Sequence, residues 1–306
     1  MQPTHLIQPL IDHFRQRTPL RTGSLIVTLF GDCIAPRGGS VWLGNLINVL
    51  APLGISGRVV RTAVYRLVQQ DILDNEQVGR RSYYTLTDHG RQTFDEATHR
   101  IYATNQVDWN GVWHLLITTH LSAEERTTLR KDLEWLGFRS LGSDLLVHPR
   151  IDETTFSRHL QTFAHGDKVV CLRGQLPHPA NDRLLDLVST TWQLPALEFA
   201  YRKFIALFEP ILADVRADPR MPPADAFYLR MFLLHEYRKI LLRDPSLPAD
   251  LLPADWHGHA AFDLTREIYQ SVTPRSEIFV DQTLENKEGK LPPADEQFFK
   301  RFGGLC

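Results

Sequence analysis

Residues 56–86, SGRVVRTAVYRLVQQDILDNEQVGRRSYYTL, constrain this chain more than any other stretch, because a helix and a tight basic hairpin follow one another directly. No proline interrupts residues 57–70, and Ser56 carries the hydroxyl with which an N-cap satisfies a free amide of the first turn, so a helix is predicted there. At ~100° per residue, Val60, Ala63, Val64 and Leu67 share one apolar face. Arg58, Thr62, Tyr65 and Gln69 run along the opposite side, with Arg61 and Arg66 flanking them. A guanidinium, a hydroxyl, a phenol and an amide in a row can hydrogen-bond base edges, and flanking arginines can reach phosphates on either wall of a groove. An ordinary solvated face has the same composition, so the stripe alone decides nothing.

The hairpin decides more. Residues 72–77 and 82–86 suit strands, and Tyr83, Tyr84 and Thr85 favour the pleated conformation. Between them stand Val78, Gly79, Arg80 and Arg81, with Gly79 to make the turn. Two adjacent arginines at such a tip form a mobile positive finger suited to phosphates or a narrow minor groove. A reading helix followed by that finger is the pattern of a winged helix-turn-helix DNA-binding domain.

Charge follows the same division. The net charge is −2, yet residues 1–100 hold 11 Arg and no Lys against 8 Asp and Glu, so the positive end is the end with the helix and hairpin. This bias is too mild to indicate nucleic acid by itself. With 43% hydrophobic and 23% charged residues over 306 positions, the chain is long enough for two or three globular domains. Three cysteines, Cys33, Cys171 and Cys306, are few, odd in number and far apart. They suggest neither a disulfide framework nor a thiolate cluster, and fit a reducing cytosol. No signal-peptide core or membrane-length apolar run is present, so a cytoplasmic protein with no membrane partner is expected.

In chain order, residues 4–16 can form a short amphipathic helix through Leu6, Ile7, Leu10, Ile11 and Phe14, packing on the first domain or on a second subunit. Residues 24–30 are apolar, and Gly31 and Asp32 are expected to end that segment before the glycine-rich loop 36–39. The loop lacks a Walker lysine and the dinucleotide glycine pattern, so it reads as a turn. Ser40 is expected to cap a helix through Val41, Leu43, Leu46, Ile47 and Leu50, which Pro52 and Gly54 end. Thr87 or Asp88 caps a further helix to about Ala103. Residues 1–104 thus read as the DNA-binding domain, followed by a polar linker at 105–111.

Residues 105–180 change rhythm: strand 112–119, helix 123–136 capped by Ser122, strand 144–147, helix 151–163, strand 168–175. This alternation suggests an α+β ferredoxin-like layer. Small metal-dependent nucleases share such layers, so a nucleic-acid-processing enzyme is the alternative reading. Its chemistry needs carboxylates near a strand end, where this chain has Thr118, Thr119 and His120. No nucleophile elbow, zinc-protease His pair or paired-cysteine site occurs either, so a binding protein is favoured over an enzyme and no catalytic residue is assigned.

From residue 181 to 306 the chain reads as a helical effector and dimerisation domain. Leu197, Tyr201, Phe204, Ile205, Phe208, Ile211 and Leu212 mark one amphipathic helix, and residues 224–243 another. In the second, Arg238 falls among Phe227, Met231, Leu234 and Leu241, and a guanidinium on a core face needs a partner. Arg238 thus makes a structural ion pair, reaches the surface with its guanidinium, or holds an anionic ligand. In the proline-punctuated loop that follows, Asp255, His257 and His259 could hold a metal, but a His-x-His with one acid lacks a third fixed ligand. Trp256 packing with the histidines at its rim is the simpler arrangement, and no metal is assigned. Pro274 is expected to end the next helix, and Phe298, Phe299 and Phe302 to dock a last short one.

Six stretches carry a wider likeness: SLIVTLFGD (24–32), RGGSVWLGNL (37–46), VVRTAVYRL (59–67), GRRSYYTLTDHG (79–90), RDPSLPADLLPADWHGH (243–259) and FFKRFGGL (298–305). In order and spacing they resemble the PaaX family of bacterial transcriptional repressors, linked to phenylacetic acid degradation. The resemblance implies a winged helix, a middle layer similar to the Cas2 nucleases and a helical C-terminal domain. It also implies a homodimer on a roughly palindromic double-stranded operator, released by phenylacetyl-coenzyme A. An acyl-coenzyme A ester with an aromatic acyl group suits arginines combined with aromatic side chains. By that logic Arg238, Trp256 and His257, with Tyr201 and Arg202 behind them, are the effector candidates. Arg58, Arg61, Thr62, Tyr65, Arg66, Gln69, Arg80 and Arg81 are the DNA candidates. No bound cofactor is expected besides the effector, although a different effector would suit the same architecture.

Overall fold

A computed structural model describes residues 7–16, 21–102, 109–151, 153–175, 181–217 and 220–305. The expectations at residues 4–6, Ala103, most of the 105–111 linker and Cys306 lie outside these. By their contacts, residues 1–104, 204–238 and 261–306 form one compact unit, and residues 105–203 and 239–260 a second.

The elements, in chain order, are α1 (Gln8–Arg15), α2 (Thr22–Leu29), β1 (Ser40–Trp42), α3 (Leu43–Leu50), α4 (Gly57–Gln69), β2 (Leu73–Val78), β3 (Arg81–Leu86) and α5 (Asp88–Tyr102). They continue with β4 (Val112–Ile117), α6 (Ala123–Trp135), β5 (Arg139–Ser140), β6 (Leu145–His148), α7 (Glu153–Thr162), β7 (Val170–Gln175) and α8 (Asp182–Thr191). The last are α9 (Leu194–Ala217), α10 (Pro223–Leu241), α11 (His257–Thr283), β8 (Glu285–Asn286), β9 (Gly289–Lys290) and α12 (Glu296–Phe299).

In the first unit, β1, β3 and β2 form an antiparallel sheet with β3 in the centre. Ser40 is therefore a strand residue and not the expected helix cap: it pairs with Thr85, whose hydroxyl donates to Ser40 Oγ at 2.8 Å. The alternation that puts Val41 inward belongs to a pleat, and α3 starts three residues later. Gly31 and Asp32 do not end the preceding helix either. The chain continues from α2 through a π-helical turn, Phe30–Ile34, and a 3-10 turn, Ala35–Arg37. Gly31 is needed there because a Cβ would lie 2.8 Å from the Phe94 ring. Thr87, of the two expected caps, is the one that serves α5, its hydroxyl accepting from the Gly90 amide at 2.9 Å.

Around this sheet α10 is buried on every side over residues 224–235, which marks a central helix. Phe14 of α1 stacks on its Phe232 at 4.0 Å, so α1 packs within the chain. Tyr228 donates to the Val49 carbonyl at 2.9 Å. Pro274 lies inside α11 and does not end it, as the sequence had suggested. Beyond it Ser276, Phe279 and Val280 are buried, and that packing outweighs the ~3 kcal/mol a helical proline costs. Of the three tail phenylalanines, Phe298 and Phe302 dock while Phe299 stays exposed.

The second unit contains the sheet β5-β6-β4-β7, in which all neighbours run antiparallel. With α6 and α7 this is the ferredoxin-like split βαβ arrangement. β5 went unforeseen because it is only two residues long. Leu116, Leu129, Leu133, Phe138, Leu146 and Phe156 fill the core. Ser122 closes a full capping box with Glu125 at the start of α6.

Candidate nucleic-acid interface

α4 divides as its periodicity predicts. Val60, Ala63, Val64 and Leu67 are buried, while Arg58, Arg61, Thr62, Tyr65, Arg66 and Gln69 are exposed. Ser56 occupies the N-cap position with extended backbone, but its side chain makes no cap hydrogen bond. Among the described residues the side chains of Arg58, Arg61, Tyr65, Arg66, Gln69 and Arg80 form no hydrogen bond or ion pair. Thr62 differs: its hydroxyl donates to the Arg58 carbonyl at 3.1 Å, so its one hydroxyl hydrogen is taken by the helix.

The wing is a two-residue hairpin closed by Gly79 and Arg80, with Val78 opposite Arg81. Gly79 takes φ +61°, the left-handed first position that a II′ turn requires. Arg80 sits free at the tip. Arg81, expected beside it on a mobile finger, is instead the first residue of β3 and is held. Its guanidinium lies 4.4 Å from the Trp42 ring centre and 2.8 Å from Glu285 Oε1. A hydrogen bond with Tyr83 and the nearby Glu285 carboxylate raise its pKa.

Glu285 belongs to the β8–β9 hairpin, which no sequence pattern announced. Asn45 of α3 clamps that hairpin, donating to the Thr283 carbonyl at 2.7 Å and accepting from the Glu285 amide at 3.0 Å. Lys287 adds an ion pair to Glu76 of β2 at 2.9 Å. Glu285 therefore already engages the Arg81 guanidinium, and any DNA phosphate would have to compete with it. Glu285→Gln is expected to raise DNA affinity modestly at low salt and to do nothing in an Arg81→Ala background, as fluorescence anisotropy would measure.

Of the effector candidates, four come together in the second unit. Tyr201 donates to Asp244 Oδ2 at 2.6 Å and meets Trp256 edge-on at 5.6 Å. Arg202 Nε lies 2.8 Å from Glu198 Oε1 and its Nη2 3.5 Å from Asp255. His257 Nδ1 is 2.5 Å from the same Glu198 oxygen, and its amide donates to the other at 3.1 Å. Glu198, which no sequence motif singles out, is thus the centre of the group. Arg238 is elsewhere, in the first unit. It donates to the carbonyl and hydroxyl of Ser24 at 3.1 and 3.0 Å, and burial lowers its pKa. Its partner is structural. No group of three metal-ligating side chains occurs among the described residues, and His257 is engaged by Glu198.

In the middle layer Thr118, at the end of β4, is buried and hydrogen-bonded to the Asp144 carbonyl. Asp144 itself is paired with Arg126 at 2.7 Å. No helix among the described residues is long and apolar enough to cross a membrane.

A head with an exposed polar stripe on one helix and a basic turn beside it fits the class of DNA-binding transcription regulators. Comparison with known proteins is specific. Family models described as PaaX-like protein, PaaX protein central Cas2-like domain and PaaX-like protein C-terminal domain match residues 21–90, 106–185 and 192–282. The transcriptional repressor PaaX of Escherichia coli (strain K12) is 36% identical over 301 residues, covering 98% of this chain and 95% of that protein. Among solved structures, the uncharacterized protein Rv0674 from Mycobacterium tuberculosis is 26% identical, covering 77% of this chain and 89% of its own, with a TM-score of 0.47. The chain belongs to the PaaX family. It is a PaaX-like transcriptional repressor, with the Cas2-like layer as its middle domain and a helical C-terminal region, and not an enzyme. DNA binding follows from that membership.

Proposed function

We propose that this protein represses a phenylacetate catabolic operon by holding operator DNA as a homodimer, and that phenylacetyl-coenzyme A releases it. The winged helix-turn-helix formed by α2, β1, α3, α4 and the β2–β3 hairpin is the reading head. The observation that carries this is the free, exposed stripe on α4, backed by an apolar face that is fully packed. Arg58, Tyr65 and Gln69 read bases, while Arg61, Arg66 and Arg80 hold phosphates. Two such heads must meet grooves about 34–36 Å apart, so a small rotation of one against the other breaks the match.

Tyr201, Arg202, Trp256 and His257 form the effector candidate, an aromatic pair beside a guanidinium and an imidazole. Both the Arg202 guanidinium and the His257 imidazole already face Glu198, so the phosphates of a coenzyme A ester would have to displace that carboxylate. The deciding experiment is titration of phenylacetyl-coenzyme A, with acetyl-coenzyme A and free coenzyme A alongside, into a protein–operator complex followed by gel shift. Release by the phenylacetyl ester alone is expected. No release at saturation would remove the inducer from this reading and leave the DNA-binding assignment standing.

A further inference from the structure

We infer that Val59, together with the methyl group of Thr62, reads the 5-methyl group of a thymine in the operator's major groove. This rests on α4 being the reading helix, as proposed above. Val59 is 47% exposed, an apolar branched side chain left in water on a helix whose buried face is already complete. Alone on a surface it would need no explanation. Its surroundings give it one. Val59 and Thr62 stand three residues apart and are surface neighbours on a helix. Both lie in the first half of α4, and recognition helices approach base edges with their N-terminal residues.

The hydroxyl of Thr62 supports the same conclusion. Its hydrogen is committed to the Arg58 carbonyl at 3.1 Å, so the side chain can offer a base edge only lone pairs and a methyl group. Val59 and Thr62 thus form a small apolar patch bordered by exposed Arg58 and Arg66. A protein partner needs roughly 800 Å² on each side, far more than two such side chains supply. The exposed thymine methyl is the one apolar feature that base edges present in the major groove, and it matches the patch in size and chemistry.

The test uses the tightest duplex selected from random-sequence DNA, with each thymine replaced singly by uracil, which lacks only the methyl group. The wild-type protein is expected to lose about fourfold in affinity at one or two positions per half-site, the value of one buried methyl. Val59→Ala should bind the thymine duplex correspondingly weakly and be indifferent to uracil at that position. Thr62→Val should keep the wild-type pattern, while Thr62→Ser, which removes the methyl, should lose part of it. Equal wild-type binding to every uracil duplex would overturn the methyl contact, as would a full uracil penalty retained by Val59→Ala. If Arg58→Ala and Tyr65→Ala still alter sequence preference in that case, only the methyl contact fails. If they do not, the assignment of α4 as the reading helix fails with it.

Discussion

Arg230→Met is expected to destabilise the first unit by about 3–5 kcal/mol, the scale of breaking a buried ion pair and leaving its partner charged. Arg230 sits on α10 with no exposed surface, and its Nε donates to Asp32 Oδ2 at 2.6 Å. Its Nη1 donates to Glu277 Oε1 at 2.6 Å and meets Ser276 at 3.3 Å. Asp32 also accepts from Tyr102 at 3.0 Å, Tyr269 at 2.8 Å and Arg301 at 3.0 Å. Arg37 pairs with Glu277, and the guanidinium groups of Arg37, Arg230 and Arg301 all lie within 5.2 Å of the Phe298 ring centre. Arg230 pairs with both Asp32 and Glu277, so removing it takes a partner from each carboxylate, while Asp32→Asn takes the charge partner from Arg230 and Arg301 together. Urea denaturation followed by circular dichroism would measure the loss. An unchanged midpoint for Arg230→Met would mean that the network contributes nothing.

The pH dependence follows from Asp32. Burial alone would raise its pKa, but the charges of Arg230 and Arg301 prevail and hold it below the ordinary 3.8. A carboxylate depressed in the folded state contributes stability above its unfolded pKa, and loses it as pH falls through the lower folded value. The network should therefore be intact through neutral and mildly acidic solution and fail only below about pH 4. Burial and the adjacent Asp32 push the Cys33 thiol up to about 12, so it stays protonated throughout.

That network was invisible in the sequence for a physical reason. The helical wheel singled out Arg238 because it fell on an evident apolar stripe, whereas Arg230 lay on its flank. α10 has no outer face between residues 224 and 235, so the flank is as buried as the stripe. Asp32 likewise reads as a helix terminator because its partners lie 70 to 269 residues away, beyond the reach of any local pattern. Elements whose rules are local were legible: the two faces of α4, Gly79 in its turn, Ser122 as a helix cap and the strand–helix alternation of the middle layer. Where a distant partner decides, pattern misled. β3 makes Ser40 a strand residue, buried packing carries α11 through Pro274, and Glu285 takes Arg81 off the finger.

Arg58→Ala and Tyr65→Ala are expected to cost about 1–3 kcal/mol of discrimination between operator and scrambled duplex, the worth of a lost base contact. Tyr65 is 62% exposed and Arg58 is unpaired among the described residues, so neither change opens a cavity or strands a buried group. Their thermal midpoints should therefore stay near that of the wild type, which separates a reading role from a folding one. Arg80→Ala provides the contrast. A phosphate contact at the turn is blind to sequence, so its loss should weaken operator and scrambled DNA alike and reduce the slope of log affinity against log salt by about one. Competition anisotropy with both duplexes at several salt concentrations distinguishes the two behaviours. If the α4 variants lose affinity for scrambled and operator DNA in equal proportion, the stripe holds the backbone, and the bases are read by another part of the head.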